Sequence, residues 1–464
     1  MDSPERRVLH CGNQDSVESF LRTLISDYEK LDKHPARIFG TLWRAAVRVQ
    51  PLPSRHLFGK EEKDAVMRLF DRAIESGSHI LGYNGEQESE YCREFSEMLG
   101  GGFADGVNSG TNAVYVAVRA LELEPYSEVI VPPVSDPGGI MPVALSQLIP
   151  VPADSAPGSY NPSAEQIAAR ITPKTRAILV AHISGIPVDM EPVMALAREH
   201  GLKVIEDCAQ CHGARYQGRM LGSIGDIAAF STMFGKHHAT GGQGGVVFTK
   251  DEALYWSVRR HADRGKPFGV TLGGTAGSGV GVGASAGGNG LAALNCNMDE
   301  IHACIGREQL KKLAGFIQKR RKFAQAVEAQ CASSVGLRMV GDPPYGENAY
   351  WFLFFRFDAS AYRVDKATFV EAMVKEGFPM EPHYFYVPIR QPWALHPHVF
   401  GDGSSALPWS AAGKSSTPPP LPNIEATDAA HVRMGIHEGW GQAEADDFGV
   451  ALRKVDAVFR KDAA

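Results

Sequence analysis

The chain has 464 residues, 44% of them apolar and 22% charged, with a formal net charge of −6. That balance describes a globular protein long enough for one large and one smaller domain, and it excludes the broad basic field that gathers nucleic acid. No apolar run is long enough to cross a bilayer and the N-terminus lacks a signal-peptide core, so a cytoplasmic location without a membrane partner is expected.

Residues 1–56 read as a proline-punctuated extension, with a helix expected from Ser16 to Leu31. Val66, Leu69, Phe70 and Ile74 recur at helical spacing and predict a helix over Lys60 to Ile74, followed by a short one over Tyr91 to Leu99. A short strand then runs into Asn108-Ser109-Gly110-Thr111, where a helix begins at once. Free backbone N–H groups and hydroxyls at a helix N-terminus favour an anion such as phosphate. The same residues also read as an ordinary N-cap.

From here strands and helices alternate. Strands are expected at Glu128–Val131, Ile149–Val151, Ala177–Ala181 and Lys203–Ile205, with helices between them such as Pro162 to Arg170 and Glu191 to His200. This is the pattern of a mostly parallel sheet covered by helices, whose ligands sit at the carboxyl ends of the strands. His182 to Met190 follows one such end, and Glu206-Asp207 follows another. A carboxylate at the end of an apolar strand needs a cation or a donor, or else caps the next turn.

Cys208-Ala-Gln-Cys211-His212 spells the attachment signature of a c-type haem and contains a CxxC pair. No second pair is nearby, and the seven cysteines are scattered and odd in number, so reduced core thiols and no metal are expected.

Residues 222 to 249 carry the strongest chemical signal. Two apolar runs, Ile227 to Phe230 and Val246 to Phe248, flank a glycine-rich loop that holds Lys236, His237 and His238. A lysine buried between strands loses part of its proton affinity, which suits it to attack a carbonyl and form a Schiff base. A solvated loop lysine is the alternative.

Gly269 to Gly290, with ten glycines, reads as a loop or insertion and carries no dinucleotide fingerprint. Beyond it come an amphipathic helix from Met298 to Leu313, another from Phe316 to Ala329, an aromatic strand from Tyr350 to Phe357, and a helix from Lys366 to Glu376. A loop with His383 and Tyr384, a surface loop from Lys414 to Pro422 and a closing helix from Gln442 to Phe459 complete the chain. The expected division is an extension (1–56), a large domain (57–314) and a small α+β domain (315–464) with a site between domains.

In this order the motifs resemble the DegT/DnrJ/EryC1/StrS sugar aminotransferases, pyridoxal-phosphate enzymes of fold type I. The residues that carry the resemblance are Ser109-Gly110-Thr111, Gly185 to Met190, VIEDCAQCHGARYQGR with GSIGDIAAFS, Lys236 before GQGG, Asn295 with its following helix, and RMGIHEG; together they span about residues 57 to 460. The resemblance implies an α/β fold with a mostly parallel sheet, pyridoxal 5'-phosphate as cofactor, and transfer of an amino group from glutamate or glutamine to a keto-sugar. It implies that Lys236 bonds the cofactor and moves a proton, that Asp207 keeps the pyridine nitrogen protonated, and that Gln210 lies near the phenolic oxygen. Ser109, Gly110, Thr111 and Ser231 would hold the phosphate, with Asn295 reaching it from the partner in a homodimer with shared sites.

The chain departs from the family at three positions: Asp136 stands where an aromatic residue usually stacks on the cofactor, Gln243 replaces an acidic residue, and Asn297 a basic one. His237 and His238 also bring to mind a branch of the family that uses histidine in place of the lysine and dehydrates its sugar, and a catalytically idle regulator is a third reading.

Overall fold

Side-chain alternation at a period of two builds the central sheet. In the computed structural model, which describes residues 46–269, 289–384, 391–395, 399–400 and 406–461, Ile130, Ile178, Val180, Val204, Ala228, Phe230, Val246 and Phe248 face one hydrophobic core. Their neighbours Val129, Val131, Ala177, Leu179, Ile205, Ile227, Ala229 and Val247 face another on the opposite side. A strand buried on both faces must be covered by helices on both, which is what the intervening segments supply.

In chain order, α1 (Lys60–Ser76) and α2 (Glu86–Met98) lead to β1 (Phe103–Val107), α3 (Gly110–Ala120), β2 (Glu128–Val131), α4 (Met141–Leu145), β3 (Ile149–Pro152), α5 (Ala164–Ala168), β4 (Thr175–Ala181), α6 (Met190–His200) and β5 (Lys203–Asp207). A small hairpin, β6 (Arg215–Tyr216) and β7 (Arg219–Met220), precedes β8 (Ile227–Ser231), β9 (Gly245–Thr249), α7 (Glu252–Ala262) and α8 (Glu300–Cys331). The large sheet has the order β1-β9-β8-β5-β4-β2-β3. It is parallel from β8 to β3, and β9 is antiparallel to both of its neighbours.

The C-terminal part contains β10 (Leu337–Met339), β11 (Gly346–Glu347), β12 (Phe352–Phe357), α9 (Lys366–Lys375), β13 (Met380–Glu381), α10 (Pro392–Leu395), α11 (Pro422–Ala430), β14 (His431–Gly435) and α12 (Gln442–Phe459). Its four-stranded sheet, β10-β12-β14-β13, is antiparallel throughout. A third cluster, including Val134, Ala181, Ile183, Phe352, Phe354 and Tyr384, joins this sheet to the carboxyl ends of β2 and β4.

The sequence patterns locate most of these elements to within a few residues. One differs in kind: the two helices expected on either side of Gly315 are a single 32-residue helix, α8. The helix expected at 16–31 and residues 270–288 of the glycine-rich segment lie outside the described residues.

Candidate active site

The loop between β8 and β9 folds back on itself because its two ends keep pairing: Thr232 N–H donates to Gly244 O, Phe234 N–H to Gly242 O, and Thr240 N–H to Thr232 O. The hydroxyls of Thr232 and Thr240 meet at 2.7 Å. A Cβ on Gly244 would lie 2.1 Å from Thr240 Oγ1, so the closure needs glycine there. This turn carries Lys236 inward, where it is 5% exposed and its Nζ lies 3.6 Å from the centroid of the Trp351 ring. Burial pushes the amine down to about 8, against the opposing pull of the Asp207 and Asp136 charges.

Asp207 closes β5, opposite Ala229 of β8, and is buried. One oxygen accepts from Ala209 N–H at 3.0 Å. Among the described residues, the other has only a long contact with Ser135 Oγ at 3.5 Å. Burial raises the carboxyl, and the Ala209 hydrogen bond and the Lys236 charge oppose that rise. Desolvation thus moves both groups towards neutrality.

The N-terminus of α3 abuts the end of β8. Ser109 is its N-cap, its Oγ accepting from Asn112 N–H at 3.1 Å, and the first helical bond runs from Ala113 N–H to Ser109 O. The N–H groups of Gly110 and Thr111 precede that bond and so point out of the helix end. A Cβ on Gly110 would lie 2.5 Å from Cβ of Ser231, and one on Gly138 would lie 2.3 Å from Thr111 Oγ1. Ser109, Gly110, Thr111 and Ser231 therefore come together.

Gln210, on the turn after Asp207, directs its amide to Ser184 N–H and to the Tyr384 hydroxyl. These groups fit a phosphorylated pyridine aldehyde: helix-end N–H groups and hydroxyls for the phosphate, a buried carboxylate for the ring nitrogen, and a buried amine for the aldehyde.

Asn295 lies near the start of α3, but among the described residues its side chain hydrogen-bonds to none of these groups. It is exposed, its side-chain oxygen accepts from Asn297 Nδ2 at 2.7 Å, and its carbonyl lies beside Asn108. Asp136 is exposed as well and caps the Pro137–Gly139 turn through Gly138 N–H at 2.9 Å. A carboxylate held this way offers no face for ring stacking. Gln243 is exposed on the loop.

The two histidines beside Lys236 are engaged elsewhere. His237 Nε2 meets the Ala349 carbonyl at 3.2 Å and His238 Nε2 meets the Tyr91 hydroxyl at 2.7 Å. Burial drives both imidazoles well down, so they are neutral packing groups, and the lysine is the residue of the three whose charge feels Asp207.

His182, Cys208 and Cys211 cluster within 4.8 Å and are buried. His182 Nδ1 accepts from Val188 N–H at 3.0 Å, and its Nε2 lies 3.2 Å from Glu206. Its only lone pair is thus already used, so the trio lacks a third ligand for a metal. Glu206 also accepts from Gly222, Ile224 and Gly225, tying the segment before β8 to β5.

Sequence reasoning missed three contributors. Trp351 shows in the sequence only as part of an aromatic strand, Tyr384 only as a loop residue, and Ser135 carries no local signal. Tyr384 follows a histidine and precedes an aliphatic-aromatic run, and nothing local says which way its hydroxyl faces.

The match to the model of the DegT/DnrJ/EryC1/StrS aminotransferase family covers residues 60–434. A UDP-N-acetyl-3-dehydro-alpha-D-glucosamine 3-aminotransferase from Acidithiobacillus ferrooxidans is 33% identical over 56% of this chain and 66% of its own length, just short of two thirds. A GDP-perosamine synthase from Escherichia coli O157:H7 is 31% identical over 65% of this chain and 76% of its own. The X-ray structure of an aminotransferase from Psychrobacter cryohalolentis superimposes with a TM-score of 0.73 at 28% identity, covering 88% of this chain and 98% of that one. The architecture is that of fold type I, and the chain belongs to the DegT/DnrJ/EryC1/StrS aminotransferase family.

Proposed function

We propose that this protein is a pyridoxal-5'-phosphate-dependent aminotransferase that moves an amino group from glutamate or glutamine to a keto-sugar or a related polyhydroxy ketone. The observation that carries this reading is the buried Lys236 amine, pushed down to about 8, within electrostatic reach of the buried Asp207 carboxylate. The coenzyme, when bound, supplies an electron-poor ring that accepts the electron pair left on the substrate carbon.

The chain's own residues do the rest. Lys236 Nζ would hold the coenzyme by its aldehyde and, when free, would take and return the proton at the substrate carbon. Asp207 holds a proton on the ring nitrogen. The N–H groups of Gly110 and Thr111, with the hydroxyls of Ser109, Thr111 and Ser231, would bind the phosphate, and the turn that carries Lys236 keeps its amine buried. Asn295, exposed on its own protomer, would reach the phosphate of a second copy in a cytoplasmic homodimer, with residues 57–314 as the coenzyme domain and 315–464 as the smaller one. A nucleotide-linked sugar as acceptor is supported by the UDP- and GDP-sugar names of two relatives.

The test is spectral. Purified protein given pyridoxal phosphate gains a visible absorption band, borohydride fixes the coenzyme on the Lys236 peptide, and Lys236→Ala loses both. Glutamate or glutamine bleaches the band, and a panel of keto-sugars is scored for its return. Protein that takes up no coenzyme sinks the reading.

A further inference from the structure

We propose that Gln210 and Tyr384 form a two-donor cradle for one anionic or strongly polarised oxygen in the cleft, with Tyr384 supplying the second donor. The inference rests on the aminotransferase reading and deepens it.

The orientation of the Gln210 amide is fixed chemically. Its Oε1 accepts from Ser184 N–H at 2.7 Å. A backbone N–H can only donate, so the NH2 group must face the other way, towards Tyr384, at 3.0 Å. Turning the amide over would leave the buried Ser184 N–H facing donors, at the cost of an unmet hydrogen bond.

Ser184 itself is held in place. It sits at φ 62°, its carbonyl accepts from Trp351 N–H at 2.8 Å, and its hydroxyl donates to Phe352 O. The next residue, Gly185, has φ 89°, and a Cβ there would come within 3.0 Å of Gln210 O and 2.9 Å of Asn348 Oδ1. A non-glycine residue persists at positive φ only where its surroundings over-determine it. The turn after β4 is therefore a rigid mount for the amide.

Tyr384 is equally fixed. Its N–H donates to Asp428 Oδ1 at 2.9 Å, and its ring packs on Phe352 with centroids 5.5 Å apart. The phenol oxygen accepts from Gln210, and among the described residues its own proton has no acceptor. Burial keeps that proton in place, and the Asp136 and Asp207 charges reinforce the effect. An amide nitrogen has a second hydrogen. One N–H and one O–H, 3.0 Å apart at their heavy atoms, are thus left to converge on a single acceptor, the arrangement that stabilises negative charge on oxygen. Two oxygens qualify: the coenzyme's phenolate and the carbonyl of the keto substrate.

The test compares the holoenzyme with Tyr384→Phe, which keeps the ring, and Gln210→Glu, which replaces the amide donor by a charge. A donor on the phenolate competes for that oxygen with the proton on the adjacent nitrogen. Removing it makes the nitrogen keep its proton to higher pH. If the phenolate is the guest, Tyr384→Phe raises the pH midpoint of the visible band by about one unit, and Gln210→Glu by more. If the substrate carbonyl is the guest, the midpoint holds while the affinity of the coenzyme's amine form for the keto-acceptor falls about tenfold. Coloured variants that melt like the parent, with the midpoint within about 0.2 units and affinity within about twofold, would overturn the cradle. Colourless parent protein would instead overturn the aminotransferase reading.

Discussion

Lys236 is destabilising where it stands. Its pKa falls from 10.5 to about 8 because burial disfavours the charge, so the unfolded chain binds a proton more tightly than the folded one. Stability therefore rises with pH between about 8 and 10.5, where the unfolded state carries the extra proton, and the full penalty applies at neutral pH. Lys236→Met removes it: the coenzyme-free variant should be more stable at pH 7 by up to about 3 kcal/mol. The gap should close as melts are repeated towards pH 10. A variant less stable than the parent at pH 7 would mean that the amine gains more from the Trp351 face than it loses by burial.

This lysine was legible in the sequence because burial, glycine and strand signals coincide within thirty residues. Tyr384 was not, because its role depends on an amide and a turn some 174 and 200 positions away in the chain.

At the scale of elements, α8 is one continuous helix where the sequence pattern predicts two. Sequence patterning breaks at Gly315, where glycine disfavours helix by about 1 kcal/mol. The structure runs straight through, because packing on both sides outweighs one poor position: Leu313 and Ile317 are both buried. Gly315 is exposed, and a Cβ there meets nothing within 4 Å. Gly315→Ala should therefore stabilise by about 0.5–1 kcal/mol, seen as a higher melting temperature with the coenzyme spectrum unchanged.

Further along the same helix, Arg320 is 1% exposed and donates to Glu438 and to the carbonyls of Tyr350, Trp351 and Ile436. Glu438 also accepts from Arg55, whose guanidinium donates to the Lys236 carbonyl at 2.7 Å. Burial works against the Glu438 charge, but the two arginines overcome it and hold the carboxyl below its ordinary value. Its contribution is present above about pH 4.5 and is lost as pH falls through the lower folded value. Glu438→Ala strands a buried guanidinium and should cost about 3–5 kcal/mol in denaturant melts at pH 7. A much smaller loss would show that the backbone carbonyls alone suffice for Arg320.

For the whole molecule, alternation and strand length in the sequence are enough to anticipate the helix-covered sheet. They do not give the strand order, in which β9 inserts antiparallel between β1 and β8, because register and neighbours are set by contacts across the fold. That insertion has a direct effect on the site. It brings both ends of the Lys236 turn to one edge of the parallel region, beside the α3 N-terminus, so that the helix end and the amine share one wall.

The thiols beneath that wall offer a way to watch it move. Cys208 and Cys211 are at most 1% exposed and flank Gln210 directly beyond Asp207, and burial raises both thiols. They cannot be alkylated until the floor of the cleft opens. Their labelling rate, resolved by peptide mass, is therefore a clock for local unfolding of the catalytic floor. Bound coenzyme should slow that clock while leaving the thiol of Cys331, in the core of the smaller sheet, at its own pace.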